Sequence, residues 1–177
     1  RRGAVFNKGL VQVYYGDGKG KTTASLGLIL RAVGHNLRVL LIQFFKKTFT
    51  GEIASLQFLP GVTVYRFGSK EFVQEDQVKE EEKQEFLCGW HLAQEALKSQ
   101  EYDLIVLDEL PHAFFYDLLS WEDFQSAMQA RNPQTEIVIT GRRVPQALID
   151  FADLVSEIRN IKHPYEQGIP ARKGVEY

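Results

Sequence analysis

The chain has 177 residues, 44% of them hydrophobic and 25% charged, with a formal net charge of −2. That length suits one domain over residues 1–177, large enough to bury a core without covalent or metal staples. So balanced a charge speaks against nucleic acid or an anionic membrane as the main partner, and a single cysteine, Cys88, excludes an internal disulfide or thiolate cluster. No apolar run approaches the ~20 residues of a membrane span, and the first residues lack a signal-peptide layout. A reducing compartment, the cytoplasm, is the expectation.

Taken in chain order, Leu10–Tyr15 is a short run of apolar and β-branched residues and predicts a buried strand. A glycine-rich stretch follows, and Thr22–Val33 then has helical character and stops before Gly34. Arg38–Phe44 and Val62–Phe67 predict the next strands, with Lys46–Gly51 and Gly68–Asp76 as working loops. Glu75–Ser99 reads as a long helix, acidic at its start, with an apolar face of Phe86, Leu87, Trp90, Ala93 and Leu97. Strands at Asp103–Leu107, Glu136–Thr140 and Leu154–Ile158 alternate with helices at Trp121–Ala130 and Pro145–Ala152. Such alternation indicates an α/β fold whose mostly parallel sheet of five to six strands is covered on both faces, with ligands beyond the carboxyl ends of the strands.

Between the first strand and the first helix lies Gly16-Asp17-Gly18-Lys19-Gly20-Lys21-Thr22-Thr23. Glycines let backbone N–H groups approach phosphate oxygens, and a helix N-terminus adds partial positive charge at the same place. Lys21 is placed to reach the outer phosphates and the Thr22 hydroxyl to ligate Mg²⁺. The usual phosphate-loop spacing requires glycine at position 15, where Tyr15 stands, so the first glycine comes one residue late. Farther on, Leu104–Leu107 ends in Asp108 and Glu109, the place where folds of this kind hold Mg²⁺. Asp103 and Glu101 read as surface charges.

These stretches, together with Arg31-Ala32-Val33-Gly34-His35, Gln43-Phe44-Phe45-Lys46, Leu107-Asp108-Glu109-Leu110, Ile139-Thr140-Gly141-Arg142, Ala152–Ile158, Lys162-His163-Pro164-Tyr165 and Gly174-Val175-Glu176-Tyr177, resemble the P-loop ATP:corrinoid adenosyltransferases. The resemblance runs in order from Gly9 to Tyr177. It implies a three-layer P-loop NTPase-like (RecA-like) fold and transfer of the 5′-deoxyadenosyl group of ATP to the Co(I) of a reduced corrinoid, cob(I)alamin or a precursor, releasing triphosphate. It implies that Gly16–Thr23 holds the triphosphate with ATP reversed, that Thr22 and Glu109 ligate Mg²⁺ (or Mn²⁺) with Asp108 behind them, and that Arg31 lies near the nucleotide. A homodimer, a cytoplasmic setting and a flavoprotein reductant also follow from it. Two departures stand out. Phe72 is the candidate for the first corrin-facing aromatic, but Gln74 occupies the usual tryptophan position, and Pro111-His112 follows the acidic pair.

Cobalt(I) is itself a nucleophile, which agrees with the lack of an evident catalytic triad. Two other readings stay open: a phosphate-loop ATPase or kinase cleaving the β–γ bond, and a non-catalytic module binding ATP and corrinoid. Arg142 and Arg143, at a strand end, are candidates for phosphate contact. Cys88 and His91, three apart on the long helix, read as a partly buried structural pair, Trp90 as core, and Glu80–Glu82 as a solvated helix face. His35 reads as a helix cap, and His163 as a turn residue or a corrin neighbour.

Overall fold

Runs that are apolar on both alternating faces are sheltered only in a sheet with helices above and below it. The computed structural model, which describes residues 5–68 and 78–177, has that arrangement. Strands β1 (Val11–Tyr15), β2 (Val39–Gln43), β3 (Val62–Arg66), β4 (Leu104–Asp108), β5 (Glu136–Gly141) and β6 (Leu154–Glu157) form one sheet in the order β3-β2-β4-β5-β1-β6. Every pairing in it is parallel. The helices are α1 (Lys21–Gly34), α2 (Gly51–Leu56), α3 (Glu80–Lys98), α4 (His112–Phe115), α5 (Trp121–Gln129) and α6 (Gln146–Phe151).

The period-2 geometry of a strand divides the core in two. Leu40, Ile42, Ile105 and Leu107 point to one face, where they pack with Phe86 and Trp90 of α3, Phe124 and Met128 of α5, and Leu148 of α6. Their neighbours Val39, Leu41, Leu104 and Val106 meet Ile29 and Ala32 of α1 and Leu56 of α2 on the other. The result is a three-layer α/β fold, with β5 inserted between the strand that feeds the glycine loop and the acidic strand.

Several expectations need correction. Helix α1 does not stop before Gly34; it runs through it, and Asn36 takes the left-handed conformation (φ 58°) that ends it. Leu37 N–H donates to the Ala32 carbonyl and Asn36 N–H to that of Val33, the double bond of a Schellman ending. Asp103 is no surface charge. It is buried at the start of β4, where its carboxylate accepts from the Arg38 backbone N–H (2.7 Å) and from Arg38 Nε and Nη2 (3.2 and 3.0 Å), tying β2 to β4. Glu82 is buried too, its carboxylate accepting from the Lys79 N–H at the start of α3. Cys88, His91 and Leu87 are exposed, because Phe86, Trp90, Ala93 and Leu97 claim the buried stripe of that helix. No helix among the described residues is long and apolar enough to cross a membrane.

Candidate functional site

The strand order brings the glycine loop after β1 and the acidic end of β4 to the same edge of the sheet. Within the loop the first two glycines serve packing. Gly16 (φ 127°) lies so close to β6 that a Cβ there would sit 2.1 Å from the Ile158 carbonyl oxygen, and one on Gly18 would meet Arg159 at 2.7 Å. Their amides are used internally, Gly16 N–H on the Gly141 and Arg142 carbonyls and Gly18 N–H on the Ile158 carbonyl (2.9 Å). Asp17 Oδ1 accepts from the Asn160 N–H (3.0 Å), and Lys19 Nζ donates to Glu176 Oε1 (2.9 Å). Only from Gly20 onward does the loop turn to the cleft. Gly20 has φ 122°, and a Cβ there would meet nothing within 4 Å. The first helical bond of α1 is Ala24 N–H to the Gly20 carbonyl, so the amides of Lys21–Thr23 precede the helical ladder and form its anion-attracting end.

Lys21 Nζ donates to the Gly18 carbonyl (2.7 Å). Burial holds its ammonium below the ordinary lysine range; Glu109 opposes the shift and Arg142 adds to it. Thr22 Oγ1 donates to Asp108 Oδ1 (3.0 Å), which keeps the hydroxyl's lone pairs for another partner. Asp108 is fully buried and also accepts from Thr140 Oγ1 (2.6 Å) and Gln43 Nε2 (3.1 Å). Burial, and then the charge of Glu109, raises its pKa above the usual carboxylate value. Gln43 in turn accepts from Arg66 Nε (2.9 Å), so a buried polar chain runs from Thr22 across the sheet end to β3.

Glu109 stands at φ 65°, a left-handed conformation outside the regular strand that turns its carboxylate away from that of Asp108. His112 Nε2 donates to it. Burial pushes Glu109 upward, but the hydrogen bond and charge of His112, with Lys21 and Lys46, bring it below the usual value. His112 packs beside Phe45 and Tyr116, with ring centroids 6.0 and 6.3 Å away.

Gly20, Lys21, Thr22, Thr23, Lys46 and Glu109 line one side of a cleft of about 520 Å³. Leu26, Gly51, Glu52 and Ser55 continue it, and Gly174–Tyr177 close it. Asp108 sits behind Thr22 rather than in the cleft. Arg142 lies beside Gly16 in a neighbouring groove with Asp17, Arg143 and Arg159. Arg31 does not line this cleft: it is exposed in the last turn of α1, ~15 Å along the helix from the loop. His163 caps the turn Pro164–Gln167, its Nδ1 accepting from the Tyr165 N–H. Phe72 and Gln74 lie outside the described residues. Sequence reasoning missed α2, and it quoted Gln43, Thr140 and Gly174–Tyr177 within the motifs of the resemblance without giving them a place in the site.

The donor set fits a hard cation: Thr22 offers a hydroxyl and Glu109 a carboxylate, oxygen ligands of the kind Mg²⁺ takes sparingly. The family model described as "ATP:corrinoid adenosyltransferase BtuR/CobO/CobP" matches residues 7–177. A Salmonella typhimurium protein named corrinoid adenosyltransferase is 36% identical over 170 residues, 96% of this chain and 86% of its own length. Proteins of the same name from Escherichia coli K12 and Pseudomonas aeruginosa are 34% and 33% identical, each over 96% of this chain and 86% and 84% of their own lengths.

Proposed function

The chain belongs to the ATP:corrinoid adenosyltransferase family, an enzyme family that moves an adenosyl group from ATP to a corrinoid, and we propose from that premise how its residues divide the work. Amides of Gly20–Thr23 and the Lys21 ammonium hold the triphosphate. Thr22 and Glu109 hold Mg²⁺ (Mn²⁺ is an alternative ion), with Asp108 fixing the Thr22 hydroxyl from behind. The observation carrying this division is that Lys21, Thr22 and Glu109 line one cleft while Asp108 is buried with hydroxyl and amide donors.

The reaction needs no protein nucleophile. Co(I) of a reduced corrinoid attacks C5′ with its electron pair, the C5′–O bond breaks, and triphosphate leaves with the bonding electrons. The divalent ion supplies charge neutralisation for that leaving group. Lys21 and the loop amides bear on the same developing charge, in a site that is preorganised before reaction. Lys21 bears on that charge only as an ammonium, since an amine does not stabilise a departing anion. Alignment of C5′ with cobalt is a matter of orientation, a large effect when both partners are fixed. Phe45, His112 and Tyr116 give the acidic corner an apolar flank that limits water. A homodimer, a cytoplasmic setting and reduction by a flavoprotein complete this reading.

The test is spectral conversion of cob(I)alamin by the protein with ATP and Mg²⁺, with phosphate products resolved by phosphorus NMR. The expected outcome is an alkylcobalt spectrum with intact triphosphate, and loss of most turnover in Thr22→Val and Glu109→Gln. Release of ADP and phosphate in place of triphosphate would overturn the mechanism, and full activity in both variants would overturn the metal assignment.

A further inference from the structure

None of residues 159–177 is buried, so no hydrophobic packing fixes this stretch, yet its last residues form a wall of the nucleotide cleft. What holds it is polar and comes from the loop. Residues 17–19 all face it: Gly18 against Arg159, Asp17 on the Asn160 N–H, and Lys19 on Glu176. Glu176 is the knot of the turn. Its carboxylate accepts from the Arg172 N–H (2.7 Å), from Arg172 Nε and Nη2 (3.2 and 3.0 Å) and from Lys19 Nζ (2.9 Å). The Arg172 carbonyl accepts in return from Val175 and Glu176 N–H. These donors, Arg172 foremost, hold the Glu176 carboxyl down at about 2. The turn reaches across the cleft mouth to α2, where a Cβ on Gly51 would lie 3.9 Å from the Tyr177 backbone.

The cleft is chemically two-ended. Cations and helix-end amides cluster at Gly20–Thr23 and Lys46, while Leu26, Val175 and Tyr177 are its apolar and aromatic members. A ligand with a polyanionic end and a flat, largely apolar base fits both. We propose that Lys19 and Glu176 form a clasp holding the Arg172–Tyr177 turn as the nucleoside-side wall of the cleft. Val175 and Tyr177 are then specificity-determining residues for the base, and Lys19 is a positioning residue, not a phosphate ligand. This rests on the placement of triphosphate at Gly20–Thr23 proposed above.

Direct calorimetric binding of ATP and of inorganic triphosphate separates the two roles, since triphosphate lacks a nucleoside. Lys19→Met and Glu176→Gln are each expected to weaken ATP about fivefold, the upper end for an exposed ion pair. Both should leave triphosphate within about twofold, and the double variant should be no worse than either alone, as coupled partners are. Tyr177→Ala should share the selective loss of ATP. Equal loss of ATP and triphosphate in Lys19→Met, with Glu176→Gln silent, would overturn the proposal and make Lys19 a phosphate ligand. Unchanged ATP affinity in both variants would overturn it as well. Lys21→Ala is the separate control: if it leaves triphosphate affinity intact, the phosphate-loop placement itself has failed. Thermal melts check that each variant is folded.

Discussion

Gly16 and Gly20 make a matched pair for separating packing from ligand binding. Their φ values, 127° and 122°, are nearly the same, so alanine suffers similar backbone strain at each, about 1–3 kcal/mol. The surroundings differ. Alanine at Gly16 drives its Cβ to 2.1 Å from the Ile158 carbonyl, while alanine at Gly20 meets no protein atom within 4 Å. Relieving the Gly16 overlap means moving β6 from β1 and losing the Gly18 N–H bond to Ile158, a further cost of about 1–3 kcal/mol for a buried backbone group left unpaired. A protein of this length shifts its melting temperature by roughly 2–4 °C per kcal/mol. Gly20→Ala should therefore melt about 2–12 °C below the parent, and Gly16→Ala should lie lower still by about 2–12 °C. Binding should separate from stability: Gly20→Ala puts a methyl group into the open cleft proposed for the triphosphate and should weaken triphosphate at least tenfold in calorimetry, about 1.4 kcal/mol. Equal melting losses in the two variants would refute the packing role of Gly16. Undiminished triphosphate affinity in Gly20→Ala would refute the cleft-facing role of Gly20.

Thr140→Val removes the 2.6 Å donor to Asp108 without changing shape and should cost about 1.5–3 kcal/mol where Asp108 is ionised. That bond favours the ionised carboxyl, so its loss raises the Asp108 pKa further; the destabilisation should be full where Asp108 is charged and shrink as pH falls and it protonates, which melts across the acid range would reveal. For Lys21, burial lowers the pKa, so its ammonium is lost at lower pH than in a free lysine. Triphosphate association should decline on the alkaline side before an ordinary lysine would titrate, and Lys21→Arg, which keeps its charge, should lack that limb.

What the sequence made legible was whatever has one physical solution. Six doubly apolar runs have no shelter but a covered parallel sheet, and all six strands fall where that reasoning puts them, within two residues at each end. The strand–loop–helix unit was legible too, since the glycines end the apolar run and Gly-Lys-Thr-Thr opens the next helix. Charges were not legible, because a residue type carries no record of its partner. Asp103 looked like surface until Arg38, 65 residues earlier, was seen to bind it. Helix α2 escaped because Leu56 is its only buried residue, too little for a periodic signal. The 172–177 turn escaped because its anchor, Lys19, lies 157 residues away.

Strand order is the property that neither motif contains, and it sets the width of the site. Adjacent strands lie about 4.8 Å apart, so inserting β5 sets β1 and β4 about 10 Å apart. Thr140 sits at the critical register, opposite Tyr14 on one side and Asp108 on the other. Its hydroxyl and that of Thr22 converge on one oxygen of Asp108, so the gap is bridged by hydrogen bonds below the cleft and left open above it. With one strand between them, Lys21 and Glu109 line the same open cleft. The loop and the acidic pair both lie outside β5, yet it is Thr140 of β5 that joins Thr22 in fixing Asp108, so the strand between the two motifs takes part in the site.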